Sequence, residues 1–155
     1  MKKVMLGCLI ASIVGLGGCK KEDEDVLGCT DPDAISFNSN ANTNDFSCTY
    51  EGSVNFWYNE DVATELEYYD SHSLKFYIDG DLIGSKSADV FFTSSPGCGA
   101  AGSVPTDLDL GVIKEKEFLL QVIDQDDYII WEADIDITAN VCKTLELTKS
   151  SMFPD

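Results

Sequence analysis

The chain has 155 residues, 28 of them Asp or Glu against ten lysines and no arginine, for a formal net charge of −18 at pH 7. So acidic a chain offers no basic face to nucleic acid or to anionic lipid headgroups, and both are excluded as partners. At 44% hydrophobic it can pack one core, and its length leaves no room for several.

Residues 1–18 read as a targeting segment that is removed and takes no part in the fold. Lys2 and Lys3 form a short positive region, and Val4–Gly18 is apolar or small apart from Ser12. Such a run makes about 22 Å of helix at about 1.5 Å per residue, short of a comfortable bilayer span. Its end, Leu16-Gly17-Gly18-Cys19, resembles the lipobox of bacterial lipoproteins: an aliphatic residue, two small ones and a cysteine. The resemblance implies that the Cys19 thiol carries a diacylglycerol and that cleavage falls just before it. Acyl chains anchor by about 0.8 kcal/mol per buried CH₂, so two hold where one would not.

Lys20-Lys21-Glu22-Asp23-Glu24-Asp25 follows, and residues 19–27 read as a solvated, disordered tether, since runs of like charge repel and extend. The run also resembles the acidic export tag of surface lipoproteins of the Bacteroidota. That implies an outer-membrane protein held by its lipid and facing the cell exterior, with periplasm-facing attachment as the alternative. Loss of residues 1–18 takes Lys2 and Lys3 with it and moves the formal charge from −18 to −20.

Cys8 leaves with the signal and Cys19 goes to lipid, so four of the six cysteines remain. An even count in an exported protein implies disulfides. Of the three connectivities, Cys29–Cys48 closes a local loop and Cys98–Cys142 staples the later domain. This pairing is the expected one. Zinc is disfavoured because no pair has close ligand spacing and His72 is the sole histidine.

Residues 28–50, GCTDPDAISFNSNANTNDFSCTY, form a small module. Asn38, Asn40, Asn42 and Asn44 alternate before Asp45, and Asn and Asp side chains favour turns by bonding nearby backbone. The stretch resembles a short Cys-bounded repeat of Bacteroidota secreted and surface proteins, through Gly28, Cys29, Thr30, Asp31, Pro32, Ala34, Phe37, Asn38, Ala41, Asp45, Ser47, Cys48 and Tyr50. The repeat's usual Asp-Asp-Gly is here Asn44-Asp45-Phe46, which removes a glycine. Alternate oxygen-bearing side chains also suit calcium, with Asp31, Asp33 and Asp45 as the ligands to look to. Neutral amides at the alternating positions, Thr43 where an EF-hand has glycine and Thr49 where it has glutamate favour a disulfide-closed spacer. No other cofactor is expected.

From residue 52 to 150 the hydrophobic period is two. Val54, Phe56 and Tyr58 alternate with Asn55, Trp57 and Asn59, and Leu74, Phe76 and Ile78 share a face. Asp79-Gly80 is a two-residue hairpin signal. Trp131, Ala133, Ile135 and Ile137 oppose Glu132, Asp134 and Asp136, with an acidic turn at residues 124–127 before them. The last strand begins near Val141. No stretch repeats usefully at 3.6. The expected fold is an all-β, small antiparallel β-sandwich of six to seven strands, immunoglobulin-like or prealbumin-like. Gly52, Val54, Phe56, Trp57, Asp79, Gly80, Cys98, Gly99, Trp131 and Cys142 give it an outline similar to small β-sandwich domains of surface lipoproteins.

No nucleophile motif occurs, and His72 sits in a polar segment, so the chain is not expected to be an enzyme. Trp57, opposite Val54 and Phe56, is the candidate for an exposed ligand platform. The reading is a non-catalytic envelope lipoprotein, an interaction or accessory module with an unnamed protein partner. Glycan binding is the alternative and calcium-dependent adhesion the weaker one. An exposed apolar patch would speak for protein contact, and a row of coplanar exposed rings for glycan.

Overall fold

The computed structural model describes residues 24–154. The expected signal segment, Cys19 and the first part of the expected tether lie outside them. In chain order the elements are β1 (Leu27–Gly28), β2 (Thr43–Asn44), β3 (Tyr50–Trp57), α1 (Glu60–Tyr68), β4 (Ser73–Ile78), β5 (Asp81–Ser87), β6 (Val104–Gly111), β7 (Glu115–Ile123), β8 (Ile129–Thr138), β9 (Cys142–Glu146) and a 3₁₀ turn at Lys149–Ser151.

Seven strands form a sandwich of two sheets, β6-β3-β9 and β5-β4-β7-β8. Alternation supplies the inner faces. Val54 and Phe56 of β3 and Leu108 and Leu110 of β6 meet Leu74 and Phe76 of β4, Leu120 and Val122 of β7 and Ile135 and Ile137 of β8 in one buried core. Phe56 and Phe76 join the two layers with ring centroids 5.8 Å apart. Full burial of each such side chain contributes about 1.5–3 kcal/mol. At Gly52 the layers approach closely: a Cβ there would lie 2.6 Å from Ile137 Cγ2 and from the Thr138 carbonyl oxygen. Asp79 and Gly80 both take positive φ (49° and 87°) in the two-residue turn between Ile78 and Asp81.

Three expectations change. The sandwich is not wholly antiparallel: β9 pairs parallel to β3, with Ser53 opposite Cys142 and Trp57 opposite Glu146. A parallel neighbour requires a long crossover, and here the whole second sheet provides it. Lettered A to G from β3, the sheets run D-A-G and C-B-E-F, whereas the immunoglobulin order is A-B-E-D facing C-F-G. Of the two sandwich types expected, the immunoglobulin one is not adopted.

There is also a helix. Asn59 caps α1 by accepting from the Val62 N–H at 3.1 Å, and Glu60 and Asp61 suit its first turn. Val62 and Leu66, four apart, are buried. The helix closes when Asp70 adopts φ 61°, so that Ser71 N donates to Leu66 O and Asp70 N to Glu67 O.

Finally, the end of the expected tether is bonded to the module that follows it. Val26 N donates to Asn42 Oδ1, Asn42 N donates to Val26 O, and β1 pairs parallel with β2.

Candidate functional site

Both disulfides have the expected partners, Cys29–Cys48 and Cys98–Cys142, with Cα separations of 4.8 and 6.4 Å. In the Cys29–Cys48 module the side chains bond backbone. Asn38 Oδ1 accepts from Asn40 N, Asn44 Oδ1 from Phe46 N and Asp45 Oδ1 from Ser47 N, at 3.0, 2.9 and 3.0 Å. These are Asx turns.

The trio Asp31, Asp33 and Asp45 does not come together as a calcium site. Lys114 Nζ, from the turn between β6 and β7, sits 2.7 Å from Asp31 Oδ2 and 2.9 Å from Asp33 Oδ2. The Tyr50 hydroxyl donates to the same Asp31 oxygen at 2.8 Å. Lys114 and these hydrogen bonds hold the Asp31 carboxyl below its usual range. Asp45, bonded to Ser47, is likewise held low. An ammonium group already supplies the positive charge that Asp31 and Asp33 face, and no group of three or more metal-ligating side chains forms among the described residues.

Trp57 is not an exposed platform: it is 7% exposed. On the same face of β3, the loop that the Cys98–Cys142 staple holds is bonded at Asn55. Asn55, on that same face, is fully buried and donates from Nδ2 to Gly97 O at 3.1 Å. Trp131 is buried as its strand pattern requires, stacked on Tyr58 at 6.2 Å and donating from Nε1 to Thr148 O.

His72 is exposed, with Nε2 3.0 Å from Asp70 Oδ1. The neighbouring Ser71 hydroxyl donates to buried Asp124 instead, at 3.2 Å, so hydroxyl and imidazole do not form a nucleophile–base pair. Asp124 organises the acidic turn by accepting from Asp126 N and Tyr128 N. An open cleft of ≈ 440 Å³ lies beside α1, lined by Glu60, Glu67, His72, Asp89 and Phe91 among others.

The exposed feature that stands out is aromatic. Tyr68 and Tyr69, at the end of α1, are 79% and 50% exposed, and Phe153 is 40% exposed. Tyr68 meets Tyr69 edge to face at 5.1 Å, and Tyr69 meets Phe153 at 4.6 Å with planes 63° apart. The carboxyl-terminal segment is also held here by an ion pair from Lys149 to Glu65 of α1 and by Phe153 N donating to Ile130 O at 2.8 Å. Exposed Ile129 and Tyr128 directly precede that carbonyl. The sequence displays Tyr68 and Tyr69, but not that residue 153 returns to them. The adjacent tyrosines closing a short capped helix are the signal that points here.

No protein-family model, no curated protein and no solved structure matches this chain.

Proposed function

We propose that this is a lipid-anchored outer-membrane protein, acylated at Cys19, that faces the cell exterior and acts as a non-catalytic interaction module. The observation that carries the interaction role is the cluster of Tyr68, Tyr69 and Phe153 on the surface. Apolar surface left exposed beside polar residues is the usual mark of a protein contact. Aromatic residues are enriched in such contacts, where they supply much of the binding energy. Glycan binding calls for coplanar rings, whereas these meet at 88° and 63°. A non-catalytic role agrees with a histidine paired to Asp70 on the surface and a serine hydroxyl committed to Asp124.

The test is a photo-crosslinking residue in place of Tyr68, on intact cells producing the protein. A discrete protein adduct that disappears in a Tyr69→Ser, Phe153→Ser double variant supports the reading. Absence of any adduct, or one unchanged by the double variant, contradicts it, and a polysaccharide adduct would favour the glycan alternative.

A further inference from the structure

We infer that the free edge of β8 is a strand-addition site for an extended, lysine- or arginine-rich segment of a partner protein, an inference that rests on the interaction role proposed above. β8 is ten residues long and lies at the edge of its sheet. Leu119 of β7 turns its backbone toward β4: its carbonyl accepts from Asp79 N and its N–H donates to Asp79 Oδ1. The alternate β7 residues Phe118, Leu120 and Val122 therefore face β8, opposite Ile135, Ala133 and Trp131. That leaves the backbone of residues 130, 132, 134 and 136 pointing away from the sheet. The two ends of this row are occupied, Ile130 O by Phe153 N and Asp136 O by Lys143 Nζ. Between them the backbone groups of Glu132 and Asp134 have no partner among the described residues. Ala133, though on the core-facing side, is exposed as well, so the edge is uncovered there.

Charge selects the occupant. Glu132, Asp134 and Asp136 share the outer face, and Glu117 lies directly opposite Asp136. None of these four carboxylates joins an ion pair among the described residues. Like charges directly opposite one another are destabilising, and the ammonium at this edge, Lys143 Nζ, bonds the Asp136 carbonyl and pairs with none of these carboxylates. Carboxylates in this position repel a second copy of the same edge, which is one way natural sheets prevent self-pairing. They attract a cationic strand, whose main chain would bond at residues 132 and 134 while its lysines or arginines flank the carboxylates. The edge ends at Ile130, where Phe153 and Tyr69 offer an apolar seat for the end of such a segment.

The experiment uses the mature chain, with a blocked peptide of about eight residues alternating Lys and Val as the probe and its Glu-Val counterpart as control. The expected result is slowed amide exchange at Glu132 and Asp134 with the lysine peptide and none with the control. Glu132→Pro removes an outward N–H and leaves the backbone bonds to β7 intact, losing only the side-chain hydrogen bond from Gln121 Nε2 to the Glu132 carboxylate, and should weaken binding about tenfold or more. Asp134→Lys, which keeps the backbone intact, should weaken it comparably. No binding, protection elsewhere, or undiminished binding to both variants would overturn the site. Each of those results leaves the interaction role standing, because that role is read separately from the Tyr68 cross-link. Loss of the cross-link with edge protection intact would remove the role and keep the site.

Discussion

Lys114 Nζ lies 2.7 Å from Asp31 Oδ2, so the turn between β6 and β7 holds the amino-terminal module against the sandwich. Tyr50, first residue of β3, completes the clamp with its hydroxyl on Asp31 and its ring 5.7 Å from the ammonium. Asp31 is held below its ordinary pKa by Lys114 first and by Tyr50 second. A carboxylate lowered in the folded state stabilises above its unfolded value, near 3.9, and the stabilisation is lost as pH falls through the folded value. Amides of residues 28–50 should therefore lose exchange protection as pH drops below about 4. In Lys114→Met they should already exchange faster at pH 7, with less further change on acidification. Identical profiles in the two proteins would show that the clamp does not hold the module.

Lys86 presents the opposite case. Its ammonium is buried without a hydrogen-bond partner, 4.1 Å from the Tyr58 ring centroid, on a strand at the sheet edge. Burial lowers its pKa from 10.5 to about 8. Between those values the unfolded chain binds more protons, so stability rises with pH across the window and the penalty is full below it. Lys86→Met should be more stable than the parent at pH 7 by roughly 1 kcal/mol, the amount being reduced because the site is partly solvated. The difference should shrink by pH 10.5. Denaturant midpoints at both pH values check it.

Gly52→Ala places a methyl group against Ile137 and the Thr138 carbonyl, where backbone cannot yield cheaply. The expected loss is about 2–3 kcal/mol, read as a lower urea midpoint with unchanged slope. The same substitution at Gly97, whose Cβ would meet nothing within 4 Å, should cost far less.

Phe46 is 87% exposed and holds φ at 64°, a left-handed conformation that penalises any Cβ. It stands where the expected Cys-bounded repeat would carry glycine, and the backbone there takes a conformation that glycine adopts freely. Phe46→Gly should raise stability by about 0.5–1 kcal/mol, the relieved strain outweighing the added freedom of the unfolded chain. A lower midpoint would mean that the ring contributes a contact.

Local pattern carried the strands and turns. Asp79-Gly80 announces its hairpin, the β8 alternation separates Trp131, Ile135 and Ile137 from Glu132, Asp134 and Asp136, and the cysteines pair as their positions suggest. What depends on distant encounters is not legible in the same way. Period two places Trp57 opposite Phe56, yet says nothing of the loop bonded at Asn55 on that face. The parallel β3–β9 pairing joins the first and last strands of the sandwich. Lys114 lies 83 residues from Asp31, and acidic side chains spaced like ligands do not reveal that a lysine will answer them. Helix α1 escaped for a different reason: in nine residues it buries only Val62 and Leu66, too few to set a period, although Asn59 and the acids after it mark its start.

The most direct test of a lipid-anchored envelope module is the intact mass of the protein extracted from membranes, before and after reduction, beside a Cys19→Ala variant. The mature chain should begin at Cys19, carry acyl chains and gain about four hydrogens when its two disulfides are reduced. A chain that retains residues 1–18, or lacks lipid at Cys19, would contradict the anchor and with it the cell-surface role.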